Sequence, residues 1–309
     1  MKAVRVHKFG GPEVFVIDEL PMPSPGPGQL LVRVAAAGVG PWDALIREGK
    51  SKVSPPPPLT LGSDLSGVVE AVGAGVAGFE VGDQVYGVTN SQFCGAYAEY
   101  ALASAAMIAG KPQRLSHIEA ASVPVVAVTA WQLLFDYAQV AAGQRILILG
   151  AAGNVGAYVV QLAARAGLHL VATAGSRDTD YVRSLGAETV IDFKIGRFED
   201  SVAPVDAVID TVGGETRNRS FRTLKPGGIL VSIVSTDPFP ERSDVRTVGF
   251  YVDVTTARLD NITALLDRGE LVTQVGTVLP LEQARTAHEM LAGAPHKRGK
   301  IVLSVRTER

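Results

Sequence analysis

The stretch from Arg145 to Arg165, RILILGAAGNVGAYVVQLAAR, decides the architecture of this chain. It begins with a short apolar run, continues into a glycine-rich turn and ends in a segment with the apolar period of an amphipathic helix. A strand, a glycine turn and a helix in this order are typical of the start of a βαβ unit that binds a dinucleotide. The stretch therefore predicts the first strand and helix of a parallel α/β domain.

The turn within this stretch supplies residues suited to holding a pyrophosphate. Glycines let the backbone turn tightly and approach an anion, and the N-terminus of the next helix offers N–H groups. Gly156 would also let the helix pack closely on the strand. The spacing is Gly-x-x-Gly-x-x-Gly rather than the commoner G-x-G-x-x-G, so a tight turn without a ligand is an alternative. The predicted pyrophosphate-binding residues are Gly150, Ala151, Ala152, Gly153, Asn154, Val155 and Gly156.

Composition and charge argue against several classes of function. The chain has 309 residues, of which 47% are hydrophobic, and a net charge of −2. This length predicts two domains, and the lack of a basic stripe argues against nucleic acid as a partner. Cys94 is the single cysteine, which excludes an intramolecular disulfide and a cysteine-cluster metal site. The sequence shows no signal-peptide core and no apolar run long enough to span a membrane, so we expect a soluble protein of the reducing cytoplasm.

The pattern changes along the chain. Up to about residue 110, short strand-like segments between Gly and Pro turns predict a compact, barrel-like β domain. Ser116 and Glu119 then form a capping box, which predicts a helix whose apolar stretch covers 120–134. Alternating strands and helices follow, and the strands are expected at 145–149, 169–174, 188–191, 206–211, 229–234 and 245–252.

The last part of the chain predicts a helix over 258–271, another over 281–292 and a final strand over 299–305. No helix follows this strand. It could therefore return to the first domain, which would make that domain discontinuous.

Nine short segments carry a resemblance to a known superfamily. They are GSDLSGVVEAVGAGV at 62–76, VGDQVYG at 81–87, GAYAEY at 95–100, VTAWQLLF at 128–135, the glycine turn, SLGAETVID at 184–192, VIDTVGGET at 208–216, LKPGGILVS at 224–232 and RGKIVLSV at 298–305. Over essentially the whole chain, they resemble the medium-chain dehydrogenase/reductase superfamily and, within it, the zinc-free quinone oxidoreductase or zeta-crystallin-like branch.

This resemblance implies an α/β fold with two domains and a cofactor in the cleft between them. A GroES-like β-barrel domain would comprise 1–117 and 270–309. A Rossmann domain with a doubly wound parallel sheet would comprise 118–269. The resemblance also implies a homodimer joined edge to edge through the Rossmann sheet near 245–252.

The residues that hold zinc in alcohol dehydrogenases of this superfamily are missing from the matching positions. Gly40 stands at the position of the first cysteine, Ser63 and Asp64 replace a His-Glu pair, and the four-cysteine structural lobe is absent. A catalytic zinc needs three protein ligands of nitrogen, sulfur or carboxylate type. We therefore predict that the protein holds no metal.

The end of the second α/β strand bears on the choice between NADPH and NADH. An acidic residue there binds the ribose 2′-hydroxyl in NAD-binding units, whereas Ser176 and Arg177 follow the strand here. Both can bind a 2′-phosphate through charge-assisted hydrogen bonds, so NADPH is the predicted cofactor. Two alternatives stay open. In the first, Ser176 caps the next helix, and Asp178 and Asp180 stabilise its first turn through the helix dipole. In the second, Asp178 binds the ribose of NADH.

The resemblance adds further cofactor contacts. It implies a threonine beside the nicotinamide, residues at the ends of the fourth and fifth strands, a segment that lines the nicotinamide, and a lysine at the cleft edge. The residues at these positions are Thr129, Val212, Gly213, Ser232, Ser235, Phe250, Val252 and Lys300. Ordinary packing is the alternative for each of them.

Three departures from the family pattern concern the substrate pocket. The Asn-Pro-x-Asp motif of many quinone oxidoreductases reads Gly-Pro-Trp-Asp at 40–43. A tyrosine that often follows the third strand is Phe193, and a tyrosine proton donor of some enoyl reductases is replaced by apolar residues at 44–46. No side chain is therefore predicted as an obligatory general acid. The candidates for the pocket are Trp42, Asp43 and Tyr86.

The sequence thus favours a zinc-independent oxidoreductase that transfers a hydride from NADPH to a quinone or an α,β-unsaturated carbonyl compound. Such acceptors spread the resulting charge by conjugation and can take a proton from water. The alternatives are an NADPH-binding redox sensor with little turnover, and an enoyl or alkenal reductase rather than a quinone reductase. Zinc-dependent alcohol oxidation is disfavoured by the missing ligands.

Overall fold

A computed structural model describes residues 1–234, 239 and 242–305 of the chain. The strands are β1 Lys2–Val6, β2 Phe15–Glu19, β3 Gln29–Val39, β4 Leu59–Thr60, β5 Asp64–Val72, β6 Gln84–Val88, β7 Tyr100–Ser104, β8 Ile108–Gly110, β9 Arg145–Leu149, β10 His169–Ala174, β11 Thr189–Asp192, β12 Val205–Asp210, β13 Leu224–Ser232, β14 Arg246–Gly249, β15 Val275–Pro280 and β16 Lys300–Ser304. The α-helices are α1 Pro41–Arg47, α2 His117–Ala120, α3 Pro124–Trp131, α4 Asn154–Arg165, α5 Thr179–Ser184, α6 Phe198–Ser201, α7 Gly214–Ser220, α8 Thr256–Asp267 and α9 Ala284–Leu291. A π-helix, Gln132–Ala138, follows α3, and short 3-10 helices lie at Pro12–Val14, Ala105–Met107, Ser176–Asp178, Phe221–Thr223 and Leu281–Gln283.

These elements form two units, each with its own sheet. Unit 1 comprises Met1–Val125 and Val254–Arg309, and unit 2 comprises Val126–Asp253. The domain ends predicted at 117 and 269 differ from these limits because α2 and α8 both belong to unit 1, where α2 packs against β3 and β5 and α8 packs against β8.

Hydrogen bonds fix α8 to unit 1. The Thr256 hydroxyl donates to the carbonyls of Ala105 and Ile108 over 3.1 and 2.8 Å. The buried Tyr86 hydroxyl donates to the carbonyl of Leu259 over 3.0 Å. The sequence of α8 alone could not assign this helix to unit 1, because the residues it contacts lie more than 140 residues earlier in the chain.

Unit 2 is built on a sheet with the strand order β11-β10-β9-β12-β13-β14, and these strands pair in parallel. The order reverses between β9 and β12, as in the doubly wound sheet of dinucleotide-binding domains. Residues 146–149 of β9 are fully buried, as expected for a parallel strand covered on both faces. The predicted parallel sheet is therefore confirmed. β13 begins earlier than predicted because Leu224 already pairs with Val205.

Unit 1 contains a seven-stranded sheet and a three-stranded sheet. The larger sheet has the order β15-β16-β3-β5-β6-β8, with β7 also paired to β3, and the smaller has the order β2-β1-β4. The final strand, β16, pairs antiparallel with β3, with Ile301 opposite Val39. The last strand therefore returns to the unit formed by the start of the chain, as the sequence suggested.

The segment before the glycine turn is broken where one helix was expected. The predicted capping box is confirmed: the Ser116 N–H donates to the Glu119 carboxylate over 2.9 Å, and the Glu119 N–H donates to the Ser116 hydroxyl over 3.3 Å. The continuous helix over 120–134 is wrong, since α2 ends at Ala120 and α3 begins at Pro124. Proline has no N–H and favours the first position of a helix, which explains the restart.

Across the described residues, no helix combines the length and apolar character required to cross a membrane.

Candidate functional site

The glycine turn of unit 2 has the close packing that its spacing predicts. Gly150 has φ +78°, and a Cβ on it would lie 2.6 Å from the Thr211 hydroxyl oxygen. A Cβ on Gly156 would lie 2.2 Å from the carbonyl oxygen of Gly150, so only glycine lets α4 approach the turn. Gly153 precedes α4 as its N-cap, and its N–H donates to the Gly150 carbonyl over 3.0 Å. The backbone of the turn therefore lies close to the start of α4, with glycine at the two positions where a side chain would clash.

Neighbouring strands hold this turn in place. The Thr173 side chain accepts from the Gly150 N–H over 3.3 Å, and the Thr173 carbonyl accepts from the Ala151 N–H over 3.1 Å. The Thr211 hydroxyl donates to the carbonyl of Leu149 over 2.7 Å. The first N–H groups of a helix have no acceptor within the helix. A fixed turn followed by the twelve-residue α4 is therefore an arrangement that can bind an anion.

Asp210 organises the neighbouring strand ends and was not identified as a site residue from the sequence. Its carboxylate is fully buried and accepts from the N–H groups of Val212 and Gly213 over 3.0 and 2.9 Å. Its second oxygen accepts from the Ser232 hydroxyl over 2.6 Å. One carboxylate thus brings together three predicted cofactor residues. The available signal was an acid that ends an apolar strand directly before the Thr-Val-Gly-Gly turn.

The residues predicted to select NADPH lie on the surface after β10. Ser176 and Arg177 are exposed and belong to a short 3-10 helix. The N-cap of α5 is Asp178, so Ser176 does not cap that helix. The ring of Phe193 lies 3.9 Å from the position of a Cβ on Gly175, which places an aromatic ring beside the same turn.

The predicted nicotinamide-lining segment is held by the π-helix. Phe250 stacks on Tyr137, with ring centroids 4.2 Å apart. The buried Gln132 side chain accepts from the N–H of Asp253 over 2.9 Å. These two contacts fix both ends of the segment that contains Val252. The role of Gln132 was missed because its partner is 121 residues away in sequence.

Two further predicted residues are buried, and a third is not described. Thr129 is buried within α3. Tyr86 is buried in unit 1, where its hydroxyl is hydrogen bonded to α8, so its position favours packing over a pocket role. Ser235 lies outside the described residues.

A buried ion pair lies at the centre of the polar residues of unit 1. The ammonium of Lys300 lies 3.0 Å from one carboxylate oxygen of Asp64, and both side chains are buried. The other oxygen of Asp64 accepts from the N–H of Val125 over 3.1 Å. Burial raises the pKa of Asp64, and the Lys300 charge opposes this shift. Lys300, predicted at a cleft edge, is thus paired inside unit 1.

Trp42 fills the space between the positions matched to zinc ligands. Its indole N–H donates to the Ser63 hydroxyl over 2.9 Å, and the Lys300 ammonium lies 4.1 Å from the ring centroid. A Cβ on Gly40 would lie 2.3 Å from the indole, so any side chain there would displace the ring. Gly40 offers no ligand atom, Ser63 accepts from Trp42, and Asp64 is paired, so this set does not fit a catalytic zinc. In the part of the chain that the structure describes, no three His, Cys, Asp or Glu side chains are grouped to hold a metal ion.

A second buried polar group lies around Asp43. One oxygen of Asp43 accepts from the Gly40 N–H over 2.8 Å and from the Tyr97 hydroxyl over 3.2 Å. Tyr97 lies 3.4 Å from Nε2 of His288, whose Nδ1 lies 2.7 Å from the Arg47 guanidinium. Because arginine only donates, Nδ1 must accept, which leaves the imidazole proton on Nε2. Arg47 therefore donates to His288, His288 donates to Tyr97, and Tyr97 donates to Asp43.

The other oxygen of Asp43 has no hydrogen-bond partner among the described residues. Burial raises the pKa of Asp43 from 3.8 to about 7, although the Gly40 hydrogen bond and the Lys300 charge oppose the shift. Burial and the nearby Arg47 charge lower the pKa of His288 to about 3, so its imidazole is neutral. Asp43 is therefore the group of this cluster that changes charge near neutral pH.

Replacement of Asp43 by asparagine should abolish one component of the pH dependence of stability. Since its pKa is raised from 3.8 to about 7, the folded wild type retains a proton that the unfolded chain has released. The free energy of unfolding should then fall as pH rises through this window, by about 1.4 kcal/mol per pH unit. Asp43→Asn, which has the shape of the protonated acid, should lack this decrease and be more stable than wild type at about pH 8.

Urea denaturation of both proteins between about pH 4 and pH 8 measures the effect. Asp180→Asn is the matched control, because its carboxylate is fully exposed and should not change the slope. Equal pH slopes for wild type and Asp43→Asn would show that folding does not raise the pKa of Asp43.

Two known family models match the sequence of this chain. The family model "Alcohol dehydrogenase GroES-like domain" matches residues 26–113, and the model "Zinc-binding dehydrogenase" matches residues 185–303. The quinone oxidoreductase of Sus scrofa is 33% identical over 98% of this chain and 97% of the relative. The quinone oxidoreductase of Homo sapiens is 31% identical over 98% of this chain and 97% of the relative.

Solved structures agree with these relatives. The quinone oxidoreductase from Coxiella burnetii is 33% identical, with a TM-score of 0.89 and coverage of 99% of each chain. An alcohol dehydrogenase superfamily protein from Novosphingobium aromaticivorans is 33% identical, with a TM-score of 0.92, over 99% of this chain and 100% of that one. The predicted α/β fold with a GroES-like domain is confirmed. The chain belongs to the medium-chain dehydrogenase/reductase superfamily and, within it, to the quinone oxidoreductase branch.

Proposed function

We propose that the protein is a zinc-independent oxidoreductase that transfers a hydride from NADPH to a quinone or an α,β-unsaturated carbonyl compound. One observation carries the proposal. In a chain similar to quinone oxidoreductases over its full length, the glycine turn is intact, whereas the positions matched to zinc ligands hold Gly40, Ser63 and the paired Asp64. The enzyme would thus retain the binding site for the hydride donor and lack a zinc ion that acts as a Lewis acid.

The residues of unit 2 fit a dinucleotide. The turn that contains Gly150 and Gly156 would leave room for the pyrophosphate, with the N-terminus of α4 facing its charge. The strand ends held by Asp210 would border the adenosine side, and the segment held by Gln132 would line the nicotinamide. When bound, the reduced cofactor supplies the hydride, and the protein supplies position and exclusion of water.

The residues of unit 1 favour an acceptor that needs little help from the protein. Lys300 is already neutralised by Asp64. Its ammonium is therefore a weak source of positive potential for an isolated carbonyl oxygen. A quinone or enone spreads the negative charge through its own conjugation and takes its proton from water.

A panel of quinones and enones with NADPH tests the reaction and separates the two acceptor classes. We expect oxidation of NADPH, followed at the nicotinamide absorbance, with at least one class. The activity should survive dialysis against a chelator, and elemental analysis should find no stoichiometric zinc. Loss of activity on chelation with recovery on addition of zinc would contradict zinc independence. No oxidation with any acceptor would contradict the reductase function.

A redox sensor with little turnover is the second candidate. It is favoured by the glycine in place of the asparagine of the Asn-Pro-x-Asp motif, and by the apolar residues at 44–46 in place of a tyrosine donor. Tight binding of NADPH with negligible oxidation across the same panel would support this function.

Arg177 is proposed to select NADPH by pairing with the 2′-phosphate. Loss of one charge-assisted hydrogen bond at an exposed site should weaken NADPH binding by about tenfold in Arg177→Ala and leave NADH binding nearly unchanged. Arg183→Ala is the matched control, because Arg183 lies in the next helix and pairs with Asp180. Titration of both cofactors measures the preference. An unchanged preference for NADPH in Arg177→Ala would exclude this role.

A homodimer through unit 2 is proposed from the position of β14. This strand is at the end of the strand order of the parallel sheet, so its outer edge can pair with a second copy. Size-exclusion chromatography with light scattering at micromolar concentration should give twice the mass of the chain, and a monomer would contradict the proposal. The cytoplasmic location remains a prediction from the sequence.

A further inference from the structure

Residues 250–253 follow β14 and belong to neither a helix nor a strand, so other contacts must fix their conformation. Two such contacts come from the π-helix. The buried Gln132 side chain accepts from the Asp253 N–H over 2.9 Å. The Tyr137 ring stacks on Phe250, with ring centroids 4.2 Å apart. A single element thus holds both ends of the segment.

The π-helical form lets both side chains reach the same segment. Gln132 and Tyr137 are five positions apart, and in an α-helix this spacing would turn them about 140° away from each other. The i→i+5 hydrogen bonding of a π-helix brings residues at this spacing to successive turns of one face. The π-helix itself is anchored in unit 2, because Leu133 and Leu134 are fully buried and it packs against β12, β13 and α4. It is therefore a fixed support for the segment.

The segment also lies along the edge of the sheet that carries the glycine turn. Leu149, directly before the turn, is in register with Asp210 at the end of β12. Asp210 is in register with Ser232, and Ser232 with Gly249, the last residue of β14. In an open parallel sheet, a dinucleotide binds outside the carboxyl ends of the strands, across the point where the strand order reverses. A cofactor with its pyrophosphate at the turn would thus extend along this edge, with one end towards β14.

We propose that Gln132 and Tyr137 are positioning residues for the nicotinamide, because they hold residues 250–253 of the free protein in the conformation that receives it. The inference rests on the proposed function, since it takes NADPH as the ligand. Without either contact, the segment would become ordered only when the cofactor binds, and this entropic cost would weaken binding. The cost falls on the nicotinamide end, because the turn and the strand ends on the adenosine side keep their own hydrogen bonds.

Titrations with the cofactor and with one half of it test this role. Gln132→Met keeps the length of the side chain and removes the accepting oxygen. It should weaken binding of NADPH about three- to tenfold and change binding of adenosine 2′,5′-bisphosphate, which lacks the nicotinamide, less than about twofold. Tyr137→Leu should show the same difference between the two ligands. Tyr137→Phe keeps the stacked ring and should recover the affinity that Tyr137→Leu loses.

Gln144→Met is the matched control. The Gln144 side chain also accepts a backbone N–H over 2.9 Å, from Ala141, but it lies directly before β9, at the opposite end of this strand from the glycine turn. Its loss should leave the affinity for both ligands unchanged. A general structural role would weaken both ligands equally in Gln132→Met and Tyr137→Leu. That result, or unchanged binding of NADPH in both variants, would overturn the inference and leave the proposed function intact.

Hydrogen exchange provides a readout that needs no ligand. Mass spectrometry of peptides that cover 250–255 should show exchange at least about threefold faster in free Gln132→Met than in free wild type, because the Asp253 N–H has lost its acceptor. Equal exchange in the two proteins would overturn the inference alone. Failure of wild type to bind NADPH would overturn the proposed function and the inference with it.

Discussion

The buried pair between Asp64 and Lys300 is the interaction on which the polar interior of unit 1 depends. It joins residues 236 positions apart, at the start of β5 and the start of β16, over 3.0 Å. The second oxygen of Asp64 also receives the N–H of Val125. Removing one member would leave an unpaired buried charge, at a cost of about 3–5 kcal/mol. The pair therefore specifies how the two ends of a discontinuous unit are joined.

The same pair explains why Asp43 behaves differently from Asp64. Both carboxyl groups are fully buried in unit 1, and a single ammonium, that of Lys300, acts on both. Lys300 pairs directly with Asp64, and the negative charge of Asp64 in turn raises the pKa of Asp43. Asp43 instead accepts a hydrogen bond from Tyr97, which is the last donor in the series that begins at Arg47. This hydrogen bond is weaker than a direct ion pair. Burial then outweighs the hydrogen bonds, so Asp43 titrates near neutral pH.

The sequence was most informative where local pattern determines structure. The strand and helix around Gly150, the capping box at Ser116 and the returning last strand follow from apolar period and end signals within about twenty residues. The helix expected over 120–134 was wrong, although Pro124 carried a local signal for the break. Gln132 and the Tyr97–His288 contact could not be predicted, because their partners, 121 and 191 residues away, are brought close only by the fold. Asp210 carried a local signal, since it ends an apolar strand directly before a glycine turn, but its bond to Ser232 depends on the fold.

The electrostatics of unit 1 also bear on which reactions are chemically reasonable. Hydride addition to an isolated carbonyl places a full charge on one oxygen, which metal enzymes stabilise with a Lewis acid. Here Gly40 and Ser63 stand at positions matched to zinc ligands, so no metal would stabilise that charge. Lys300 is already paired with Asp64. Diverting Lys300 to a substrate oxygen would leave Asp64 as a buried unpaired carboxylate, which is costly. This constraint favours acceptors that delocalise their own charge, and it disfavours simple ketones and aldehydes.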